Sequence, residues 1–130
     1  MILADTSAWV EFDRRTQSPV HLRMCELIES HALAVTEPVE MELLANIRSR
    51  DRADLARAAF ASCDLLAFRT PDDFTGAAHI YRLCRRAGIT PRGMLDCMIA
   101  AVALRTGTKL LTVDKDLELI AEVIGLELDL

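Results

Sequence analysis

Four aspartates lie where carboxylates are uncommon in a packed protein. Asp5 and Asp114 each directly follow a short apolar run, and Asp116 lies two residues beyond Asp114. Asp96 lies in the first turn of the most apolar helical stretch of the chain. Carboxylates that converge without a cation repel one another, and a bound divalent ion removes that penalty. An all-oxygen ligand set favours Mg²⁺ or Mn²⁺ over zinc, and such an ion activates water and holds a phosphodiester for attack.

Each of these aspartates also has a simpler explanation. Asp5 and Asp114 are residues of the type that caps the N-terminus of a helix. Asp96 would interact favourably with the positive end of a helix dipole. Capping explains each aspartate alone better than it explains all of them together, so both interpretations stay open at this point.

A fifth acid is expected between Glu37 and Glu42, and spacing alone leaves two candidates. Pro38 suits the first position of a helix, which places Glu40 where an acid helps capping. Glu42 lies beyond the first turn, so the helix dipole explains it less well. Helical periodicity nevertheless places Glu40 nearer the centre of the apolar stripe and Glu42 towards its edge.

Short apolar runs alternate with amphipathic segments along the whole chain. The predicted strands are Ile2–Ala4, Ala32–Thr36, Leu65–Phe68, Lys109–Val113 and Leu126–Leu128. The predicted helices cover about Ala8–Phe12, Pro19–Ile28, Pro38–Ser49, Asp51–Ala61, Pro71–Gly88, Gly93–Thr106 and Asp114–Ile124. This alternation predicts an α/β sandwich around a mostly parallel sheet. Ligands in such sheets bind beyond the carboxyl ends of the strands, so Asp5 and Asp114 are expected at one rim.

Length and composition limit the class of protein. The 130 residues suit one domain, residues 1–130, and the apolar fraction of 52% supports a packed core. Twenty acidic and fifteen basic residues give a net charge of −5, which argues against a surface that binds nucleic acid everywhere but permits a local acidic site. No apolar run is long enough for a membrane helix. Cysteines without metal-binding spacing and an N-terminus without signal-peptide features favour the reducing cytoplasm.

Four motifs in this order resemble those of PIN-domain ribonucleases, specifically the VapC toxins of bacterial VapBC toxin–antitoxin pairs. The motifs are Ile2–Trp9, Glu37–Leu44, Leu95–Ala101 and Leu111–Leu117, and the resemblance covers essentially the whole chain. Each motif alone is weak, whereas all four at these separations are specific. The resemblance implies a three-layer α/β/α fold with a mostly parallel sheet of about five strands.

The resemblance also implies the site residues. The expected catalytic acids are Asp5, Glu42, Asp96, Asp114 and Asp116, of which Asp5, Asp96, Asp114 and Asp116 are expected to bind Mg²⁺ or Mn²⁺. The family pattern thus favours Glu42 over Glu40. Thr6 and Thr112 are expected to support the site, with capping or strand packing as the alternative for both.

The activity that the resemblance implies is cleavage of RNA by metal-activated water, which leaves 5′-phosphate and 3′-hydroxyl ends. Toxins of this family are usually homodimers that bind a VapB-type antitoxin, as heterotetramers or larger assemblies. Transfer, ribosomal and messenger RNA are all open as substrates. Four arginines are candidates for phosphate contacts, with helix-dipole and solvent interactions as the alternative. They are Arg82, Arg85, Arg86 and Arg92.

Other α/β families explain the sequence less well. A phosphohydrolase of the haloacid-dehalogenase type needs a second aspartate two residues after the first, where this chain has Ser7. A receiver-type signalling domain needs an acid pair after the first strand and an aspartate after a middle strand. A PIN-like binding module without catalysis would retain the repelling carboxylates at a cost in stability.

Overall fold

Four parallel strands form the sheet at the centre of the computed structural model, which describes residues 1–130. The strands are β1 Ile2–Ala4, β2 Leu33–Val35, β3 Asp64–Leu65 and β4 Lys109–Leu111, and their order across the sheet is β3-β2-β1-β4. The helices are α1 Thr6–Asp13, α2 Pro19–Glu29, α3 Glu37–Ala45, α4 Arg50–Ala61, α5 Asp72–Arg86, α6 Met94–Thr106 and α7 Lys115–Ile124. The prediction of an α/β fold around a parallel sheet is confirmed.

The helices cover the sheet in two groups. Helices α1 to α4 pack among themselves, and α5, α6 and α7 pack among themselves, with α3 also touching α6. Right-handed crossovers account for this division, because β1, β2 and β3 progress in one direction across the sheet whereas β4 lies on the other side of β1. The result is the expected three-layer arrangement.

The strand order reverses between β1 and β4, and this reversal positions the site. Chain connections leave the sheet in opposite directions on the two sides of such a point, which opens a crevice beyond the carboxyl ends of the strands. The register pairs Ala4 with Leu111. Asp5 and Thr112, the next residues of the two strands, therefore emerge side by side at the mouth of this crevice.

The fifth predicted strand, Leu126–Leu128, is not formed as a strand. Only one parallel bridge, between Leu110 and Leu128, joins this segment to the sheet. Two backbone hydrogen bonds hold it: Leu110 N–H donates to the Glu127 carbonyl at 3.1 Å, and Asp129 N–H donates to the Leu110 carbonyl at 2.9 Å. The sheet thus has four strands and an edge bridge.

Two further predicted boundaries differ from the observed ones because side chains satisfy the backbone there. Helix α3 ends at Ala45 and not at Ser49, and the Asn46 side chain donates to the Glu42 carbonyl at 2.8 Å. Strand β3 ends at Leu65 and not at Phe68: Leu66 N–H still donates to the Val35 carbonyl at 2.8 Å, but Phe68 N–H donates to a Glu37 carboxylate oxygen at 2.7 Å.

The sheet and α6 supply most of the core. All residues of β1 and β2 are buried, as expected for strands covered on both faces. Helix α6 is apolar almost all round and ends at Gly107, whose φ of 64° lets the chain turn sharply into β4. No helix combines the length and the apolarity of a membrane-spanning segment.

An ion pair between a buried aspartate and a partly exposed arginine connects α5 to the end of α6. The Asp73 carboxylate, 2% exposed, accepts two hydrogen bonds of 2.8 Å from the Arg105 guanidinium. It also accepts one of 2.7 Å from Arg69 N–H. Burial alone would raise the pKa of Asp73, but the hydrogen bonds from Arg105 and Arg69 outweigh it and lower that pKa. The pair anchors the segment after β3 to the layer that contains α6.

Arg105→Leu is expected to lower the free energy of unfolding by about 3 kcal/mol, because it leaves the Asp73 carboxylate buried without a cation. Urea denaturation at neutral pH measures the change. The matched control, Arg57→Leu, removes an exposed pair with Asp54 and should cost less than about 1 kcal/mol. Equal effects of the two substitutions would contradict a structural role of the pair between Arg105 and Asp73.

Candidate active site

Asp5 is fixed in place where β1 passes into α1. Its carboxylate is almost fully buried and caps α1. One oxygen, Oδ1, accepts hydrogen bonds from Ser7 Oγ at 2.7 Å and from Ala8 N–H at 3.0 Å. The other, Oδ2, accepts from Thr112 Oγ1 at 2.8 Å. Asp5 therefore both caps a helix and presents a carboxylate of fixed orientation at the rim of the sheet.

The hydroxyl groups of Thr112 and Ser7 join the ends of β1 and β4. Thr112 Oγ1 accepts from Asp114 N–H at 3.0 Å, and Ser7 Oγ accepts from Val113 N–H at 2.9 Å. The two hydroxyl oxygens lie 3.2 Å apart. Each hydroxyl thus connects the Asp5 carboxylate to the backbone on the neighbouring strand end.

Of the two hydroxyl residues that follow Asp5, the structure brings the second one to the carboxylate. The Thr6 hydroxyl oxygen is buried and has no hydrogen-bond partner, so the structure shows no contact between Thr6 and Asp5. Ser7 makes that contact, and sequence reasoning did not select it. Its signal was a hydroxyl residue at the second helical position after an aspartate cap, where it can reach the capping side chain.

The environment of Asp5 disfavours its charged form. Burial raises the pKa of Asp5, and the hydrogen bonds from Ser7, Ala8 and Thr112 lower it only in part. The negative charge of Asp114 raises it further. A cation bound next to Asp5 would therefore stabilise the charged form of its carboxylate.

Asp96 lies at the electrostatic centre of the acidic residues. It is half-buried in the first turn of α6, and its carboxylate has no hydrogen-bond donor and no ion-pair partner. Burial raises its pKa most, followed by the charges of Asp114, Asp5, Glu42 and Asp116, to a value of about 6. The structure therefore brings all five acids that were predicted from the sequence into one electrostatic cluster, hereafter the acidic cluster.

The two candidate glutamates of α3 face different surroundings. Glu42 is close enough to Asp96 for its charge to raise the pKa of that residue. Glu40 does not contribute there. Burial and the charge of Glu37 raise the pKa of Glu40, and Glu40 in turn contributes to the raised pKa of Cys63. Glu42 is thus the α3 glutamate in the acidic cluster, and Glu40 points towards the region before β3.

Arg92 is the one basic side chain that makes an ion pair within the acidic cluster. Its Nε donates to Asp116 Oδ2 at 2.7 Å, and its Nη2 donates to Asp114 Oδ1 at 3.3 Å. Arg92 N–H also donates to Asp116 Oδ2, at 3.2 Å. These hydrogen bonds hold the pKa of Asp116 below its usual value. Asp114 also caps α7, with its Oδ1 accepting from Asp116 N–H at 2.8 Å.

The other three candidate arginines lie on the last turns of α5. Arg82, Arg85 and Arg86 are exposed, and none of them makes an ion pair. The Arg85 guanidinium lies 6.0 Å from the centre of the Tyr81 ring. The loop 87–93 follows α5 and contains Arg92, so of the four arginines only Arg92 is shown to contact the acidic cluster.

The acidic cluster offers the donor set of a hard divalent ion, although its side chains are not drawn together around one point. No three acidic, histidine or cysteine side chains form a group that is ready to hold a metal ion. The donors are all carboxylate oxygens, which is the chemistry that Mg²⁺ and Mn²⁺ prefer. The unpaired, half-buried Asp96 carboxylate fits such an ion, because a cation would offset both the burial and the neighbouring negative charges that raise its pKa.

Asp96→Asn is expected to stabilise the metal-free protein in a pH-dependent way. Because its pKa is raised from 3.8 to about 6, Asp96 stabilises the fold at acidic pH, and this contribution is lost as the pH rises through about 6. In EDTA the variant should gain about 1 kcal/mol in unfolding free energy near pH 8, after allowance for solvent screening, and less than half of that near pH 4.5. Urea denaturation at both pH values measures the gain, with the exposed Glu122→Gln as control. A gain of the same size at both pH values would contradict the prediction.

The comparison with known proteins agrees with this fold. The PIN domain family profile matches residues 2–123. Two curated relatives are VapC ribonuclease Mb1587 of Mycobacterium bovis and Ribonuclease VapC11 of Mycobacterium tuberculosis. Each is 37% identical over 129 residues, which cover 98% of this chain and 96% of the relative.

Solved structures share the fold at low sequence identity. VapBC2 of Rickettsia felis, bound to a DNA fragment from its promoter, gives a TM-score of 0.76 at 16% identity and covers 99% of this chain and 98% of its own. DNA-bound VapBC of Salmonella typhimurium gives 0.73 at 19% identity, with the same coverage. At these identities the structures establish the fold alone. From the family profile and the full-length relatives, the chain belongs to the PIN domain family, in its VapC branch.

Proposed function

We propose that the protein is an endoribonuclease that depends on Mg²⁺ or Mn²⁺ and acts as the toxin of a type II toxin–antitoxin pair. The observation that carries the proposal is the Asp96 carboxylate, which is half-buried, unpaired and surrounded by four other carboxylates. Such a cluster destabilises the metal-free fold, and groups with strongly shifted pKa values are typical of functional sites. The relatives that are 37% identical are named ribonucleases, which supports RNA as the substrate.

The ligands proposed for the divalent ion are Asp5, Asp96, Asp114 and Asp116. When bound, the ion would supply the Lewis acid that activates water and neutralises charge at the scissile phosphate. The hydroxyl groups of Ser7 and Thr112 donate hydrogen bonds to the Asp5 carboxylate and so fix its orientation for ion binding. The apolar, largely buried α6 carries Asp96 in its first turn, and the same ion is proposed to bind there.

Glu42 is proposed as the acid that handles water or a proton. Glu42 lies on α3, and none of the other acids of the cluster lies on that helix. Its charge acts on Asp96, so it is close to that carboxylate. Its side chain accepts no hydrogen bond and makes no ion pair within the protein, so it stays available to a water molecule.

RNA is proposed to approach along the arginines of α5. No acidic residue occurs between Asp73 and Asp96, and this stretch contains Arg82, Arg85, Arg86 and Arg92. A chain with a net charge of −5 therefore carries a local positive segment beside its acidic cluster. Backbone phosphates are attracted to such a segment and are held next to the carboxylates that act on one of them.

The proposed partner is a VapB-type antitoxin, and the proposed assembly is a toxin homodimer joined to it in a heterotetramer or larger complex. Similar folds occur in a toxin–antitoxin complex from Klebsiella pneumoniae and in VapBC-5 of Mycobacterium tuberculosis, with TM-scores of 0.65 and 0.59. The proposed setting is that of the VapC relatives: one domain, residues 1–130, which acts in the cytoplasm on cellular RNA.

Asp96→Asn and Glu42→Gln are expected to slow RNA cleavage about 100-fold or more, because each removes a charge that acts on the reacting groups. The assay is cleavage of total RNA by the purified protein with Mn²⁺, with parallel growth curves after induction in cells. The matched control is Glu40→Gln on the same helix, which should retain most of the activity. Activity lost only in Glu40→Gln, or retained in Asp96→Asn, would overturn the site assignment.

Arg85→Gln is expected to weaken RNA binding and to reduce its salt dependence. In the inactive Asp96→Asn background, the slope of log affinity against log salt concentration should fall by about 0.7 for the one phosphate contact removed from single-stranded RNA. Fluorescence anisotropy of a labelled oligoribonucleotide measures the slope. The control is Arg57→Gln, an exposed arginine of α4. Identical slopes for the two variants would exclude the α5 arginines from RNA binding.

A further inference from the structure

We infer that Arg92 is a built-in counter-ion that competes with the divalent cation for Asp114 and Asp116 and thereby sets the cation affinity of the site. This inference rests on the proposed function, because it concerns the same carboxylates. It goes beyond that function because it proposes that a residue of the chain itself weakens cation binding.

The contacts of Arg92 carry the inference. Its guanidinium donates to Asp116 at 2.7 Å and to Asp114 at 3.3 Å, so it spans two of the proposed ligands at once. The oxygens it uses, Asp114 Oδ1 and Asp116 Oδ2, also accept backbone N–H groups. A cation that binds these oxygens must share them with the guanidinium or displace it.

The acidic cluster is divided by this pairing into two halves. Asp114 and Asp116 are neutralised in part by Arg92, whereas Asp96 and Glu42 have no cation partner. The hydrogen bond to Asp116 and the charges of Asp116 and Asp114 raise the pKa of Arg92, and the charge of Asp96 adds a smaller effect in the same direction. In agreement with this division, no three of the acidic, histidine or cysteine side chains lie close enough together to hold a metal ion.

The ion pairs that Arg92 makes with Asp114 and Asp116 are weak enough for a divalent cation to displace the guanidinium. The Arg92 side chain is 75% exposed, and exposed ion pairs are weak because water and salt screen them. Pro91, which precedes Arg92, is buried, and α6 begins two residues after Arg92, at Met94. Arg92 N–H keeps its own hydrogen bond to Asp116, so the guanidinium can leave without moving the loop.

Titration calorimetry with Mn²⁺ alone tests the inference. Arg92→Gln is expected to bind Mn²⁺ about 3- to 10-fold more tightly than the natural sequence, because the competing charge is gone. Arg92→Lys keeps a positive charge and should stay within about 2-fold of it. Arg57→Gln is the matched control: it removes the same charge and breaks an exposed pair with Asp54 on α4, and it should leave the affinity unchanged.

A second readout separates competition from a structural role. Thermal unfolding in EDTA should show Arg92→Gln at or below the natural sequence, and saturating Mn²⁺ should raise its unfolding temperature by more. If the substitution damages the loop, Mn²⁺ binding should weaken, whereas removal of a competing charge should strengthen it. Added NaCl should narrow the affinity difference, because salt screens the exposed pair.

The outcomes distinguish the two proposals. If the natural sequence binds Mn²⁺ and Arg92→Gln binds it equally or less tightly, Arg92 is not a competitor and only this inference is overturned. If neither protein binds Mn²⁺, the metal-dependent function fails and the inference fails with it. Tighter binding by Arg92→Gln but not by Arg57→Gln supports the inference.

Discussion

The parallel pairing of β1 with β4 is the constraint on which the rest of the site depends. It places two chain segments more than a hundred residues apart in one register, Ala4 beside Leu111, at the point where the strand order reverses. Asp5 and Thr112 then emerge together, and a 2.8 Å hydrogen bond joins them. A slip of one residue in this register would move every side chain to the opposite face and separate the carboxylates.

Electrostatic repulsion among the carboxylates of the acidic cluster is the second constraint on the site. The cluster lies at the edge of an apolar core, where burial and neighbouring negative charges act in the same direction on the pKa values of Asp5 and Asp96. Only two of the five acids have a cation nearby, and that cation is the exposed Arg92. The fold thus tolerates an arrangement that lowers its own stability, as functional sites commonly do.

Much of the fold was predictable because its signals are local. Hydrophobic runs, prolines at helix starts and acids after strands fix the order and type of the elements, and α6 is apolar enough to be recognised as buried. The segment Leu126–Leu128 was not predictable in the same way. Its apolar pattern is that of a strand, but strand formation needs a partner along its whole length, and Leu128 finds one only opposite Leu110.

The sequence by itself determined the class of fold, the rim on which Asp5 and Asp114 lie, and the family. Spacing left Glu40 and Glu42 open, the family pattern favoured Glu42, and the structure places Glu42 close to Asp96. The tertiary structure alone decided that Ser7 and not Thr6 reaches Asp5, and that Arg92 pairs with Asp114 and Asp116. The reason is physical. Periodicity reports which face of an element is apolar, whereas the partner of a polar side chain depends on the packing of elements distant in sequence.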